Sequence, residues 1–289
     1  MTQCYGTIKT MKAALLLHFC TALCTVAPLA SQPDPRVADA LYRISKEASG
    51  LWQTAPHFIG LETVTQKALT RGRGKLPPAF RTREIVSCYS LGAFKGSPEA
   101  LREFRHIVSV DGKTLEDEKS GRAGLERELA SSADSGKLAL LKEFEKTCLA
   151  GSATDFGQLI LLFTKPNLSK YSFEFAGDAR IGVDNAWLIG FKQQTGNESL
   201  HISEGGSKRS EKLQGEISVR QGDYLPLRII LNATHARGKN EIRDAAKLDY
   251  TVVGGALLPA ALVYRRFVNG DLAMESIYRY SDWQAAGAP

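Results

Sequence analysis

From Gly157 to Trp283, short runs of alternating apolar and polar residues follow one another with turn residues between them. This period of two confines the chain to a large antiparallel sheet. The last segment, LVYRRFVNGDLAMESIYRY, reads as a hairpin. Asn269 and Gly270 tolerate the positive φ that a two-residue type I′ turn demands, so Leu262, Tyr264 and Arg266 come to face Leu272, Met274, Ser276 and Tyr278. Upstream, LILLF after Gln158, then KYSFEFAG, ARIGVDNAWLIGFKQ, SLHIS and GEISVRQGDYLPLRIILNATH read as strands, followed by residues 241–253 and 257–267 on either side of Gly254-Gly255. In the third of these runs the pattern places a turn at Asp184-Asn185, between Ile181 and Val183 on one side and Trp187, Ile189 and Phe191 on the other.

The first half of the chain supplies helices as well. Asp34-Pro35 is a helix start, with an Asp cap and Pro in the first turn, and Gly50 is its expected end. Between them Val37, Ala40, Leu41, Ile44 and Ala48 form one apolar stripe that must be buried. Strands are expected around Leu61–Leu69, Arg81–Phe94 and Phe104–Val110. In the second, Ile85, Tyr89 and Leu91 share one face while Val86 and Cys88 share the other, so both faces are covered in part. Residues 116–149 then turn charged and helical, broken into two helices by SSADSG at Ser131–Gly136. The strands total roughly ten or eleven, more than an open twisted sheet usually carries without curling. The fold class is therefore α+β: a large curved antiparallel sheet, an incomplete barrel, with an N-terminal helix and a helical insert covering the concave face. Leu125, Leu129, Leu140 and Phe144 form the stripe expected to close it as a plug or lid.

Residues 11–30, MKAALLLHFCTALCTVAPLA, have the grammar of a secretory leader, with Lys12 before an apolar stretch and small residues before Ser31. Met11 is an alternative start, cleavage falls near Ala30 or after Ser31, and Cys20 or Cys24 is the alternative of a lipid-modified cysteine. The stretch is too broken for a retained span of roughly 20 apolar residues. Residues 31–289 then form a single exported domain, periplasmic or extracellular, with outer-membrane association a further option. Two cysteines remain, Cys88 and Cys148, which either close a disulfide in an oxidising compartment or sit as two buried small hydrophobes. The formal charge of +6 includes Lys9 and Lys12 of the removed segment; what is left is mild and dispersed, and it supports no nucleic-acid surface. The densest cluster, Arg71 to Lys75, reads as a solvated hairpin loop.

No catalytic signature stands out. His57, His106, His201 and His235 show no metal-ligand spacing, and neither a nucleophile elbow, a CxxC, a P-loop nor a dinucleotide fingerprint is present. Cys88 with His106 lacks an activating neighbourhood, and Glu116, Asp117, Glu118, Glu126 and Glu128 interleave with Lys119, Arg122 and Arg127 as a solvated helix face does. The expectation is a protein without catalytic residues, metal or cofactor.

The order of leader, helix, strands, helical insert and long antiparallel run resembles the LolA/LppX superfamily of exported lipoprotein and lipid carriers over about residues 34–283. GVDNAWLIGFK, GEISVRQGDYLPLRI and LLPAALVYRRF are the local phrases that fit. The resemblance implies a half-barrel whose concave face accepts acyl chains, with an apolar ligand or an acylated protein as partner, an envelope protein as another, and a monomeric carrier. Tyr171, Phe173, Phe175, Trp187, Phe191, Tyr264, Met274 and Tyr278 are the residues placed to line such a concavity, and core packing accounts for them equally. A filled-core envelope protein and, more remotely, a secreted hydrolase are the alternatives.

Overall fold

A computed structural model describes residues 34–70, 78–149, 152–196, 202–203 and 212–287. The expected leader, His201, the loop Arg71–Lys75 and most of the SLHIS run lie outside these. Residues 33–289 form one compact unit. In chain order the elements are α1 (Pro35–Thr54), β1 (Phe58–Thr70), β2 (Ala79–Phe94), β3 (Ser97–Val110), β4 (Lys113–Thr114), α2 (Glu118–Ala130), α3 (Ser135–Thr147) and β5 (Ser152–Ala153). There follow α4 (Lys165–Leu168), β6 (Tyr171–Ile181), β7 (Asp184–Gln193), β8 (Ile202–Ser203), β9 (Gln214–Arg220), β10 (Pro226–Arg237), β11 (Asn240–Val253), β12 (Ala256–Val268) and β13 (Asp271–Ala285). Eleven strands make one antiparallel sheet in the order β4-β3-β2-β1-β13-β12-β11-β10-β9-β7-β6, which is not closed, and β5 pairs with β8.

The terminal hairpin forms as its sequence requires. Leu262 pairs with Tyr278, Tyr264 with Ser276 and Arg266 with Met274, and the loop residues Asn269 and Gly270 take φ values of 51° and 90°. Asn269 also binds the neighbouring strand, its Oδ1 accepting from the Glu241 amide at 2.9 Å. The turn therefore sets the register of β11 as well.

Helix α1 starts where expected, the Asp34 side chain accepting from the Arg36 amide, and runs one turn past Gly50 to Thr54. Val37, Ala40, Ile44, Ala48 and Leu51 are its buried stripe. Arg36 at its start lies 3.6 Å over the Phe175 ring of β6, while Trp52 near its end lines a cleft with Leu101 of β3. Nine strand spacings separate β6 from β3, about 43 Å in a flat sheet, whereas twenty helical residues span about 30 Å. The sheet must curl around the helix to bring both ends within reach.

Two expected elements fall elsewhere. The LILLF run is a 3₁₀ turn, Leu159–Phe163, continued by α4, and not a strand. Leu159, Ile160 and Phe163 are buried in the main core beside α1, so a continuous apolar run satisfied burial on all sides without a ladder. The hairpin expected at Asp184-Asn185 turns instead at Gly182-Val183, and KYSFEFAG joins ARI as the single strand β6, with a bulge between Phe175 and Gly177.

The helical insert also departs from expectation. Leu125 and Leu140, with Leu129 against them, pack with Ile59, Cys88, Phe104 and Val108 in a cluster separate from the main core. Cys88 alternates with Tyr89 along β2, and Tyr89 belongs to the main core, so α2 and the start of α3 cover the outer face of the sheet. A methyl at Gly121 would lie 2.4 Å from Val108 Cγ1, which shows how closely α2 seats there. Only Phe144 of the expected lid stripe joins the inner core. Cys148, Leu149 and the stretch from Phe156 to Leu168, together with α1, fill the inner side.

That filling is pinned by buried charge. Arg105 of β3 gives Nε to Glu62 Oε2 at 2.6 Å and Nη2 to Glu62 Oε1 at 2.8 Å and Glu103 Oε2 at 2.9 Å, all three side chains being buried. The Phe144 and Tyr89 rings lie 4.3 and 5.1 Å from its guanidinium carbon. Glu103 in turn accepts from the Asp155 amide at 2.6 Å, the Gly157 amide at 2.7 Å and the Tyr89 hydroxyl at 2.9 Å. Burial alone would make Arg105 easier to deprotonate; the two carboxylates outweigh it and hold its proton more firmly than usual. A Cβ at position 157 would fall 2.4 Å from the Tyr89 hydroxyl, so only glycine lets this backbone reach the carboxylate.

Arg105→Met should lower unfolding stability by about 3–5 kcal/mol, because it leaves buried carboxylates without their cation. Urea unfolding at neutral pH measures this, and a loss below roughly 1 kcal/mol, the worth of an exposed pair, would show that the cluster pins nothing.

Candidate functional site

The residues expected to line a concavity do meet on the inner face. Tyr171, Phe191, Tyr264, Met274 and Tyr278 are buried, while Phe173, Phe175 and Trp187 are half-buried against the same core. Their partners are the chain's own residues. Phe163 of the 3₁₀ turn lies 4.9 Å from Phe191, 5.5 Å from Tyr171 and 6.1 Å from Phe173 between ring centroids, and Phe156 lies 5.4 Å from Tyr264. Trp187 packs on Tyr224 at 5.0 Å. The Tyr264 hydroxyl donates to Asp244 at 2.6 Å, and Arg266 Nε donates to the same carboxylate at 2.8 Å, so this part of the wall is cross-braced by polar bonds.

Open space lies at the rim of this filling. A cleft of about 530 Å³ is bounded by Trp52 and Gln53 of α1, Leu101 and Arg102 of β3, and Leu161 and Asn167 of the inserted segment. One wall is apolar and continuous with the core through Trp52, Leu101 and Leu161. The polar end holds Arg102, Asp155 and Gln158. Arg102 Nε stands 3.0 Å from Asp155 Oδ2, while Asp155 Oδ1 accepts from the Glu103 amide at 3.2 Å. Gln158 Oε1 is buried without a hydrogen-bond partner among the described residues. Asp155 adopts φ 68° and is pushed up to about 6, first by burial and then by the Glu103 charge beside it.

A second groove, of about 570 Å³, lies over β6, β7, β9 and β10, where Glu174, Lys192, Glu216 and Asn232 give it a mixed polar lining.

Cys88 and Cys148 are free thiols, which corrects the disulfide alternative. Cys88 faces α2 on the outer side, whereas Cys148 packs against the inner core. The sheet stands between them. Burial raises both, Cys88 to about 11 and Cys148 to about 12, so neither is activated as a thiolate. His106 Nε2 meets Glu116 Oε2 at 2.7 Å on the outer face, and no His, Cys, Asp or Glu cluster among the described residues could hold a metal. Among them, too, no helix is long and apolar enough to cross a membrane.

Arg102, Asp155, Gln158 and Trp52 were not singled out by sequence. Asp155 and Glu103 lie 52 positions apart, and neither occurs in a pattern with chemical meaning. The only local signal was Gly157 at the head of the alternating run.

No family model matches the chain, and no curated protein matches it. Among solved structures it is similar to a LolA superfamily protein from Nitrosomonas europaea, at 9% identity with 86% of this chain and 94% of that one covered and a TM-score of 0.33. It is also similar to a DUF1329 family protein from Desulfovibrio piger, at 9% identity with 90% and 95% covered and a TM-score of 0.36. The architecture established for this chain is an open antiparallel half-barrel wrapped around a helical filling, and it stands on the chain's own strand order.

Unfolding stability of wild type relative to Asp155→Asn should fall as pH rises. The folded carboxyl titrates near 6 and the unfolded one near 4, so the folded state holds the extra proton between these values, and burial of the bare carboxylate costs stability above them. The difference should decline by roughly 2–3 kcal/mol across that window and then level off. Urea titrations at stepped pH measure it; parallel curves for the two proteins would refute the assignment.

Proposed function

We propose that this chain is an exported, monomeric, non-catalytic carrier that holds an apolar ligand, a lipid or the acyl group of a lipoprotein, in its half-barrel. The rim cleft is the ligand's way in. The observation that carries this reading is the cleft itself. Its volume of about 530 Å³ falls in the usual range for small-molecule sites, and its apolar wall of Trp52, Leu101 and Leu161 runs into the aromatic inner face. Its polar end, at Arg102, Asp155 and Gln158, gives an amphipathic ligand a place for its head.

What fills the inner face is suited to exchange. The segment 155–163 is not part of the ladder; it is tied to the barrel by the two amides given to Glu103, by Asp155 facing Arg102 and the Glu103 amide, and by the Ile160 amide given to the Tyr250 hydroxyl at 3.0 Å. The rest of its hold is apolar packing, which an acyl chain can replace at about 0.8 kcal/mol per buried CH₂.

A second reading has its own support. Tyr264, Phe163, Ile44 and Leu51 are fully buried by the chain's own residues, as they would be in an envelope protein that uses only its surface.

The test uses residues 33–289, extracted with organic solvent and assayed by mass spectrometry, alongside uptake of a fluorescent fatty-acid probe. Carriage predicts bound lipid and saturable probe binding, weakened at least about tenfold by Leu161→Arg, which puts a charge on the apolar wall. Neither lipid nor probe uptake leaves the filled-core reading standing and ends the carrier one.

A further inference from the structure

Two rows of side chains line the rim cleft. Ser49, Trp52 and Gln53 stand at three- and four-residue spacing on α1, so one face of the helix presents all three. Gln158, Leu161 and Thr164 recur every third residue from one cap of the 3₁₀ turn to the other, and a helix of three residues per turn stacks them in a single row. Asn167 of α4 continues that row.

At neutral pH the cleft carries no net charge. Arg102 and Asp155 are the only charged side chains in its lining, and they already meet at 3.0 Å. An anionic head would have to take Arg102 from Asp155, and a cationic one would have to take Asp155 from Arg102. Either exchange leaves a charge unpaired.

What the lining leaves uncommitted is amide and hydroxyl. The Ser49 hydroxyl gives its proton to Ser45 O at 2.9 Å, so towards a ligand its oxygen accepts. The Asn167 amide nitrogen is directed to Leu161 O at 3.4 Å, which leaves the amide oxygen for the cleft. Gln158 Oε1 is buried without a partner among the described residues, a costly state that a donor in the cleft relieves once the half-buried side chain turns its amide outward. Gln53, exposed on α1, offers donors and an acceptor. A ligand matched to this lining donates several hydrogen bonds, accepts others and carries no charge. Carboxylates and sulfates lack the donors, and an ammonium lacks acceptors. Hydroxyl groups meet every condition, and the Trp52 indole beside them suits the C–H face of a sugar ring.

We propose that the cleft selects an uncharged, multiply hydroxylated group of the kind a sugar ring presents. The inference rests on the carrier reading only for the apolar chain attached to that group.

Calorimetric titration of residues 33–289 with octyl glucoside, octyl sulfate and octylammonium, each below its micelle concentration, tests it, because the three share one chain. Octyl glucoside is expected to bind at least about tenfold more tightly than either ion. Gln53→Leu with Gln158→Leu should weaken it about 25-fold, at roughly fivefold per hydrogen bond lost, and leave octyl sulfate no weaker. Ser49→Ala with Thr164→Val is an independent pair with the same expectation. All four side chains lie outside the core, so melting curves should match wild type. Equal or tighter binding of either ion, or wild-type glucoside binding by both pairs, overturns the proposal and leaves apolar carriage standing. No binding of any of the three ends both. Methyl glucoside has the same head without the chain: binding as tight as that of octyl glucoside supports the hydroxyl-selective cleft and ends the carrier reading.

Discussion

The Glu103 carboxylate holds the two parts of this protein together. One oxygen faces Arg105 and the Asp155 amide, the other the Gly157 amide and the Tyr89 hydroxyl, so a single strand residue ties the sheet, a buried cation and the incoming segment. Burial pushes such a carboxyl up; Arg105 and the backbone donors outweigh it and leave Glu103 below the ordinary range. Its neighbour Asp155 goes the opposite way, to about 6, because burial and that neighbouring charge outweigh Arg102, the Glu103 amide and Arg105. Two carboxyls brought together across 52 positions of chain thus divide the work, one charged and structural, the other titrating at the cleft.

The consequence for the half-barrel is that its inner face is occupied but not knitted shut. Strand pairing runs around the sheet from β4 to β6, and the filling is bound mainly through aromatic and aliphatic contacts. Contacts of that kind are non-directional, so the proposed exchange of Phe163 for an acyl chain would ask little change of the wall's own geometry. A cleft at the edge, between the end of α1 and Ala100–Arg102 of β3, is where such an exchange would begin.

The outer face shows the opposite logic. At β2 and β3 it is apolar and sealed by α2, with Leu125 and Cys88 fully buried, whereas the β1–β2 arm beyond these strands leaves Leu69 and Phe80 uncovered. The same period-two pattern yields a buried face where a helix lies over it and an exposed pair where none does.

Local pattern determined much of this protein: the Asn269-Gly270 hairpin, the Asp34 cap, the alternation that makes β1 to β3 and β9 to β13, and the break at Ser131–Gly136 between two helices. Each depends on residues within a few positions of one another, where φ preference and side-chain alternation act. The strand expected at LILLF failed because a short, wholly apolar run has no period to read, and the side taken by Leu125 and Leu140 was undecidable because β2 is apolar on both faces. Tertiary structure alone decided these, along with the separation of Cys88 from Cys148 and the meeting of Glu62, Glu103, Arg105 and Asp155. Burial and charge pairing act between residues that the chain brings together only after it has curled, and no local pattern encodes where that curl will place them.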